Sequence, residues 1–544
     1  MAEIIKTTDY KKFVINGKEV PFSALDRCLP NDKVVASSSG KWSMVVRGKQ
    51  PPLVGILDCL NKTRYGFTAK NVPIYLFHPM NKAYPPFRVG STIDPTQNYL
   101  SVIQYETWEL GQSMPRGSLV QTLGPVGDFE AEAEALYWLY SPWTGYTKKT
   151  SEYTPPEFDV TDRIEIRSDY GWQTFNVDPD GCTDIDDCFS YLWDEYQQTV
   201  QCAITIADVA AMINEGSPID LLARKAGQSL YQDGKKPRHM LPSLIAEDYG
   251  SLSPGDKRLG VTLFFDYDRQ TNFIDNIHFK ETIITNQKQY TYESIKATHH
   301  ADLLKILCGK LTPEAEDDPH NWIAALMIFY NTEFAHYIQG SAGGLLRAHK
   351  EADIQKQEML EAIDPALKFL AMSSAVYIPA TAKDTRHHGL DAEVYTHASS
   401  PLRRYADLHN QRIFKELYHT KQHRPEDTQL LETLNQKAKD AKKYERDYGF
   451  LQAIFDTTAK VIGGKVIGLK QKNSIVRIEM WIPAWKRILK ISLAGNTTSE
   501  NSAEVLSRDE KSAHSITVGQ TLELAFSYDS TKCHWKERMI FRII

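Results

Sequence analysis

The ten residues from Asp178 to Asp187, Asp-Pro-Asp-Gly-Cys-Thr-Asp-Ile-Asp-Asp, carry five carboxylates and no basic side chain. They constrain the fold more than any other stretch. The preceding Thr174-Phe-Asn-Val177 reads as the end of a strand, and Pro179, Gly181 and Thr183 force a turn. Carboxylates crowded on a turn repel one another, and a folded chain tolerates this when cations stand among them. Hard oxygen donors suit Mg²⁺ or Mn²⁺ rather than zinc. A solvated acidic loop or a structural Ca²⁺ loop explains such a run equally well when it is taken alone.

Composition narrows the class of protein. At 544 residues, 42% hydrophobic, the chain is long enough for three or four domains with cores of their own. A net charge of -6 provides no global basic field, so a polyanion would need a local groove of cations. Seven cysteines without a C-x-x-C pair fit a reducing compartment and argue against a zinc site or a disulfide frame. The N-terminus lacks the apolar core of a signal peptide, and no run of 18 apolar residues exists. A cytoplasmic protein without a membrane span is expected.

Up to about residue 150, short apolar runs such as Val54-Gly-Ile-Leu57 and Pro73-Ile-Tyr-Leu-Phe77 alternate with turn residues, which predicts small β-barrels. Arg64-Tyr-Gly-Phe67 fits either a base-stacking face or ordinary strand core. From about 160 to 295 strands dominate, including Cys202-Ala-Ile-Thr-Ile206. From about 320 to 455 the pattern is helical, with Ala324, Met327, Ile328 and Asn331 at helical spacing. Strands followed by helices predict an α+β domain. The last ninety residues return to strands, where Lys465, Lys470, Lys472, Arg477, Lys486, Arg487 and Lys490 face only Glu479, with Trp481 and Trp485 interleaved. This suits a single-stranded nucleic-acid surface, or solvated lysines over a structural tryptophan.

A second constellation is His397-Ala-Ser-Ser-Pro-Leu-Arg-Arg-Tyr405. Ser400 can cap a helix whose first position is Pro401. Arg403 and Arg404 then stand in a first turn where the helix dipole prefers anions, a cost most readily accepted when an external phosphate arrives between them. The alternative is a salt bridge from either arginine to Asp407 or to the acidic turn.

An acidic metal turn and a phosphate-grasping helix start are the two halves of a metal-dependent phosphodiesterase. The chain resembles the ribonuclease II / ribonuclease R (RNB) exoribonuclease family. The resemblance runs through Asp178-Pro…Asp184-Ile-Asp-Asp187, Ile206-Ala-Asp-Val209, Tyr231…Met240-Leu-Pro242, Tyr292-Glu293, Leu345-Leu-Arg-Ala-His349, His388-Gly-Leu390 and Tyr395-Thr-His-Ala-Ser-Ser-Pro-Leu-Arg-Arg-Tyr405. Met114-Pro-Arg-Gly…Leu123-Gly…Gly127-Asp128 resembles the family's second cold-shock barrel.

That resemblance implies N-terminal cold-shock-like OB β-barrels at 1–72 and 73–150, an α+β RNB catalytic domain at 151–455 and a C-terminal OB-fold β-barrel at 456–544. It implies processive 3′→5′ hydrolysis of single-stranded RNA to nucleoside 5′-monophosphates. Asp178, Asp184 and Asp187 would hold Mg²⁺, with Mn²⁺ a substitute, and Asp186 would position the attacking water or the terminal nucleotide. Arg403 matches the arginine at the scissile phosphate, Arg404 is its neighbour on the substrate, and Tyr231 and Tyr292 match positions that pack against nucleotides near the 3′ end. A monomer without an obligate protein partner is expected.

Departures from the family pattern include Ala398-Ser399 in place of Phe-Thr and a Tyr231-to-Pro242 loop about one residue longer. No PIN endonuclease domain and no lysine-rich tail are expected. Two other functions compete: an RNA-binding regulator that has lost catalysis, disfavoured by the presence of all four aspartates, and a metal-dependent DNA nuclease.

Overall fold

The computed structural model describes residues 3–544 except 37–39, 62–64, 142–152, 155, 157–159, 195, 197, 233–234, 313–317, 422–423, 457–460, 507–512, 530–531 and 533–537. Arg64 and the expected boundary between 150 and 151 lie outside the described residues. The chain divides into two compact units. One gathers Met1–Thr144, Met359–Leu367 and Lys442–Ile544, and the other Gly145–Glu358 and Lys368–Ala441.

The first unit is mostly β-structure. Near the N-terminus, three strands (Lys6–Asp9, Lys12–Ile15, Lys18–Pro21) and a separate four-stranded sheet enclose a small core of Ile5, Phe13, Ile15, Leu25, Cys28 and Val34. Asn16 and Gly17, at φ 49° and 74°, form the hairpin between the second and third of these strands. Both residues of such a two-residue turn need positive φ, which asparagine and glycine adopt at little cost. A closed five-stranded barrel follows, from Leu53–Asp58, Ile74–Pro79, Phe87–Gly90, Tyr99–Thr107 and Arg116–Pro125. Leu53–Asp58 pairs with both Tyr99–Thr107 and Ile74–Pro79, so this barrel begins before the expected boundary at 73. Phe67 is 61% exposed, which rules out strand core for it.

After the barrel, Asp128 caps a helix, Phe129–Tyr140, by accepting from the Ala131 N–H at 2.9 Å. The C-terminal strands form one antiparallel seven-stranded sheet in the order 513–517, 502–506, 487–499, 475–482, 461–472, 521–528 and 539–543. Trp485 is buried against Phe450, Phe526 and Phe541, so it belongs to the core of this unit.

The second unit is built on a seven-stranded sheet of β1 (Ile164–Ile166), β2 (Gln173–Val177), β3 (Asp187–Trp193), β4 (Thr199–Ala207), β5 (Lys257–Asp268), β6 (Phe273–Thr285) and β7 (Lys288–Tyr290). Its order is β1-β6-β5-β4-β3-β2-β7, antiparallel except for the outermost pair at each edge. β4 is central, and Cys202 to Ala207 is buried on both faces, as a run apolar except for Thr205, whose hydroxyl bonds Thr262, requires. Helix α1 (His300–Leu311) and helix α2 (Pro319–Ile338) pack on the sheet. The buried stripe of α2 runs through Trp322, Leu326, Tyr330, Phe334 and Ile338, while Ala324 faces solvent. The helical period is the expected one, but the buried face is rotated by the larger aromatic residues, which gain most from leaving water.

Helix α3 (Tyr405–His419) starts four residues later than a Ser400 cap would give. The cause is local pairing. Gln228 bridges Arg404, the Ser229 N–H donates to the Arg403 carbonyl at 2.9 Å, and the Tyr405 N–H donates to the Gly227 carbonyl at 2.9 Å. Arg404 is therefore extended, at φ -131° and ψ 124°, and both arginines precede the helix. No helix among the described residues is long and apolar enough to cross a membrane. Six described cysteines are free thiols.

Candidate active site

The acidic turn joins the end of β2 to the start of β3. The Cys182 N–H donates to the Pro179 carbonyl at 3.1 Å, and Gly181 supplies the φ of 76° that the turn needs. The turn is pinned to the sheet by side chains that the motif itself does not contain. Ser251 Oγ accepts from the Ile185 N–H at 3.0 Å and donates to the Thr183 carbonyl at 2.7 Å. Asn286 Nδ2 donates to Asn176 Oδ1 at 2.7 Å, and Asn176 Nδ2 donates to Asp178 Oδ2 at 2.8 Å. These bonds fix Asp178 at the β2 end and Asp187 at the β3 start, opposite Ile206.

The four aspartates meet different surroundings. Asp186 is 5% exposed and accepts from the Leu402 N–H at 2.9 Å, while Arg403 Nε stands 3.3 Å from its other oxygen. Burial pushes its pKa up to about 7 against the opposing pull of Arg403 and the Leu402 amide. Asp187 is raised well above the usual carboxylate range by burial, then by the charges of Asp178 and Asp186. Asp178 is raised by burial, partly countered by the Asn176 amide. Asp184 accepts from the Tyr231 hydroxyl at 2.6 Å, and His239 Nδ1 stands 3.9 Å from the same Oδ2.

The two arginines separate in role. Arg404 donates through Nε and a terminal nitrogen to both oxygens of the fully buried Asp407, at 3.0 and 2.8 Å, and Asp407 also accepts from the Ser400 N–H. Its fork is filled by a carboxylate. Arg403 is 44% exposed in its side chain, bonded to Ser400 Oγ at 3.0 Å as well as facing Asp186. The pair joins a half-exposed guanidinium to a buried carboxylate, so Arg403 is reachable from solvent while Asp186 is not.

Tyr231 is 40% exposed and reaches the acids through its hydroxyl. Tyr292 is half-buried and stacks on His320, with ring centroids 3.7 Å apart. Its hydroxyl is pushed up to about 12 by burial and by the charges of Asp178 and Asp187.

The donor set is of the kind a hard divalent ion takes, and the mutual repulsion of Asp178 and Asp187 is what a cation would relieve. Among the described residues, no three His, Cys, Asp or Glu side chains converge at metal-ligand spacing. Asn176 and Tyr231 instead hold the oxygens of Asp178 and Asp184.

In the C-terminal sheet the expected basic cluster is partly neutralised. Lys470 and Lys490 flank Glu479 at 3.7 and 3.1 Å, Lys465 pairs with Asp364 at 3.2 Å, and Arg487 pairs with the buried Asp447 at 3.1 Å.

Comparison with known proteins agrees with this architecture. The RNB domain family matches residues 166–305 and 302–420, and the Dis3-like cold-shock domain 2 family matches residues 74–141. The match assigns an RNB domain to residues 166–420 of the chain. It is 25% identical over 421 residues to the human exosome complex exonuclease RRP44, covering 61% of this chain and 43% of that protein. It is 24% identical over 472 residues to the Schizosaccharomyces pombe exosome complex exonuclease dis3, covering 70% and 47%. The chain thus spans less than half the length of these curated relatives. Among solved structures it resembles Mycoplasma genitalium RNase R in complex with ribose methylated single-stranded RNA, with a TM-score of 0.74 at 16% identity over 100% of both chains. It also resembles yeast Ssd1, described as a pseudonuclease, with a TM-score of 0.66 at 15% identity over 99% of this chain and 83% of that one.

Proposed function

We propose that this chain is a 3′→5′ exoribonuclease that degrades single-stranded RNA processively to nucleoside 5′-monophosphates, with Mg²⁺ or Mn²⁺ as its cofactor. The observation that carries the proposal is the joint of the two motifs. Asp186 on the acidic turn accepts from the Leu402 amide and faces Arg403, so the acidic turn and a guanidinium suited to phosphate stand side by side. The RNB domain match and the retention of all four aspartates support activity over a silent RNA-binding role.

Asp178, Asp184 and Asp187 are the residues proposed to hold the metal. Bound there, it would supply an activated water and a counter-charge for the leaving oxygen. Asp186, fixed by the Leu402 amide, orients the water or the terminal ribose. Arg403 offsets charge on the pentavalent phosphorus, its half-exposed guanidinium being open to the scissile phosphate. Tyr292 presents a ring to the terminal base, and stacking of this kind has no sequence preference. No nucleophilic side chain is required.

The test compares 5′-labelled single-stranded RNA and DNA of one sequence, with Mg²⁺ and with chelator, for the native chain and Asp186→Asn. RNA-selective shortening from the 3′ end, lost with chelator and lowered by orders of magnitude in the variant while RNA binding persists, is expected. An inactive native chain that binds RNA would place it with the pseudonucleases. Full activity of Asp186→Asn would make the acidic turn structural.

A further inference from the structure

Arg347 lies on the strand Leu345–Ala348, opposite Tyr377 of the strand Val376–Pro379. It is 5% exposed, and an arginine so buried almost always has a carboxylate beside it. Arg347 is an exception. Among the described residues no carboxylate pairs with it, and its buried Nη1 has no hydrogen-bond partner. Its guanidinium rests on the Tyr377 ring, 4.4 Å from the centroid. A ring face returns only part of what a guanidinium loses with its water. Burial, above all, pulls its pKa below the usual value, yet an arginine in a protein stays charged.

The neighbouring acid is already taken. Asp407, whose charge reaches Arg347, accepts from Arg404 at both oxygens and from the Ser400 N–H. The support under the guanidinium is nevertheless fixed. The Tyr377 hydroxyl bonds His397 Nδ1 at 2.8 Å, and its backbone N–H and carbonyl both bond the Asn435 side-chain amide at 2.8 Å. A cation held in position without a counter-charge is a receptor prepared for an anion. His397 locates this receptor beside the candidate active site, because the charges of Arg404, Arg347 and Arg403 all act on its ring. Against three guanidiniums stand Asp407 and Asp186, and burial pushes the pKa of Asp186 up to about 7.

We propose that Arg347 binds a backbone phosphate of single-stranded RNA through the nitrogen that has no partner. This rests on the reading of the chain as an exoribonuclease and gives the same strand a second anchor. It is Arg403 whose charge acts on Asp178, Asp186 and Asp187, so the scissile phosphate belongs to Arg403 and Arg347 takes a neighbouring linkage. A phosphodiester fits, since its oxygens only accept and its single charge balances one guanidinium. Such a contact sets the register of the strand and carries no sequence preference.

The test uses the full chain and 2′-O-methyl RNA oligomers in which one linkage at a time, counted from the 3′ end, is a neutral methylphosphonate. Binding is read by fluorescence anisotropy. In the native chain, neutralising one internal linkage should cost about tenfold or more in affinity. Arg347→Met should lose about as much on the all-phosphate oligomer and nothing further at that linkage, whereas Arg403→Lys keeps the loss there. Without RNA, Arg347→Met should melt at or above the native temperature, because a buried cation without a partner has been removed. A methionine variant that melts several degrees lower, or fails to fold, makes Arg347 structural and overturns the proposal. So does unchanged affinity, or a uniform weakening that keeps the native linkage profile. Shortening of 5′-labelled RNA by the native chain in those cases leaves the exoribonuclease reading standing. A native chain that neither binds nor shortens single-stranded RNA overturns both.

Discussion

Arg403 and Arg404 are adjacent in sequence and chemically identical, yet the structure gives one a half-exposed guanidinium facing a single Asp186 oxygen and the other a filled bidentate fork. The same conservative change should therefore have opposite signatures. Arg403→Lys keeps charge and loses the fork, so single-turnover cleavage should fall more than RNA affinity, with the melting temperature nearly unchanged. Arg404→Lys leaves the buried Asp407 with two donors in place of three and should cost about 1–3 kcal/mol of stability. Parallel cleavage, binding and melting measurements separate the two, and reversed signatures would exchange the roles assigned here. The acidic turn stood out in the sequence because five carboxylates crowd it, although composition alone fitted a solvated or a Ca²⁺ loop equally well. Sequence offered both a phosphate and a salt bridge for each arginine and no means of choosing, since the choice depends on Asp407 being fully buried. His239, beside Asp184, could not be placed there from spacing alone. Only the fold brings an isolated histidine opposite a carboxylate about fifty residues earlier.

Among the elements, strand and helix content followed apolar period, while boundaries followed interactions that sequence does not display. Pro401 is a good first residue for a helix and opens a turn closed by the Ser400 carbonyl, but pairing of Gly227 to Ser229 with Arg403 to Tyr405 holds Arg404 extended and interrupts it. Trp485 shows the same limit: a tryptophan among lysines suits a stacking surface, and its burial depends on Phe450, Phe526 and Phe541 arriving from elsewhere. Helix α3 itself carries a pH-sensitive element. His409 is buried, donates Nε2–H to the Gly343 carbonyl at 2.8 Å, and has its pKa pulled down to about 4 by burial. Its folded value lies below the unfolded value of about 6.5, so the unfolded chain binds the extra proton first. Stability from this group is complete above pH 6.5 and drains as pH falls toward 4. At pH 4.5 the loss is about 2–3 kcal/mol. The raised carboxyls of Asp186 and Asp187 act with the opposite sign, gaining stability as pH falls. A difference measurement isolates the histidine: urea unfolding at pH 7 and 4.5 should show a shallower acid loss in His409→Gln than in the native chain. Equal losses would refute the assignment.

On the scale of the whole molecule, the first unit is tied across its discontinuous segments by buried charge. Arg538 pairs with Glu132 of the helix Phe129–Tyr140, and the Tyr528 hydroxyl also reaches Glu132, at 3.3 Å. Arg538→Met strands a buried carboxylate and should destabilise this unit by about 3–5 kcal/mol. Adding Glu132→Met should restore much of that loss, because two apolar groups pack without a desolvation penalty. Chemical denaturation of the four proteins in the cycle measures the coupling, and additive losses would show that the pair is not coupled. The partners in this bond are 406 residues apart along the chain. By contrast, the seven strands of the second unit's sheet all lie between Ile164 and Tyr290. Contact order therefore differs sharply between the two units during synthesis. The sheet that carries the aspartates can form while translation continues, but the first unit waits for the last strand to leave the ribosome. Until then Glu132 has no cation, and the early barrel segments depend on their local contacts alone for resistance to proteolysis.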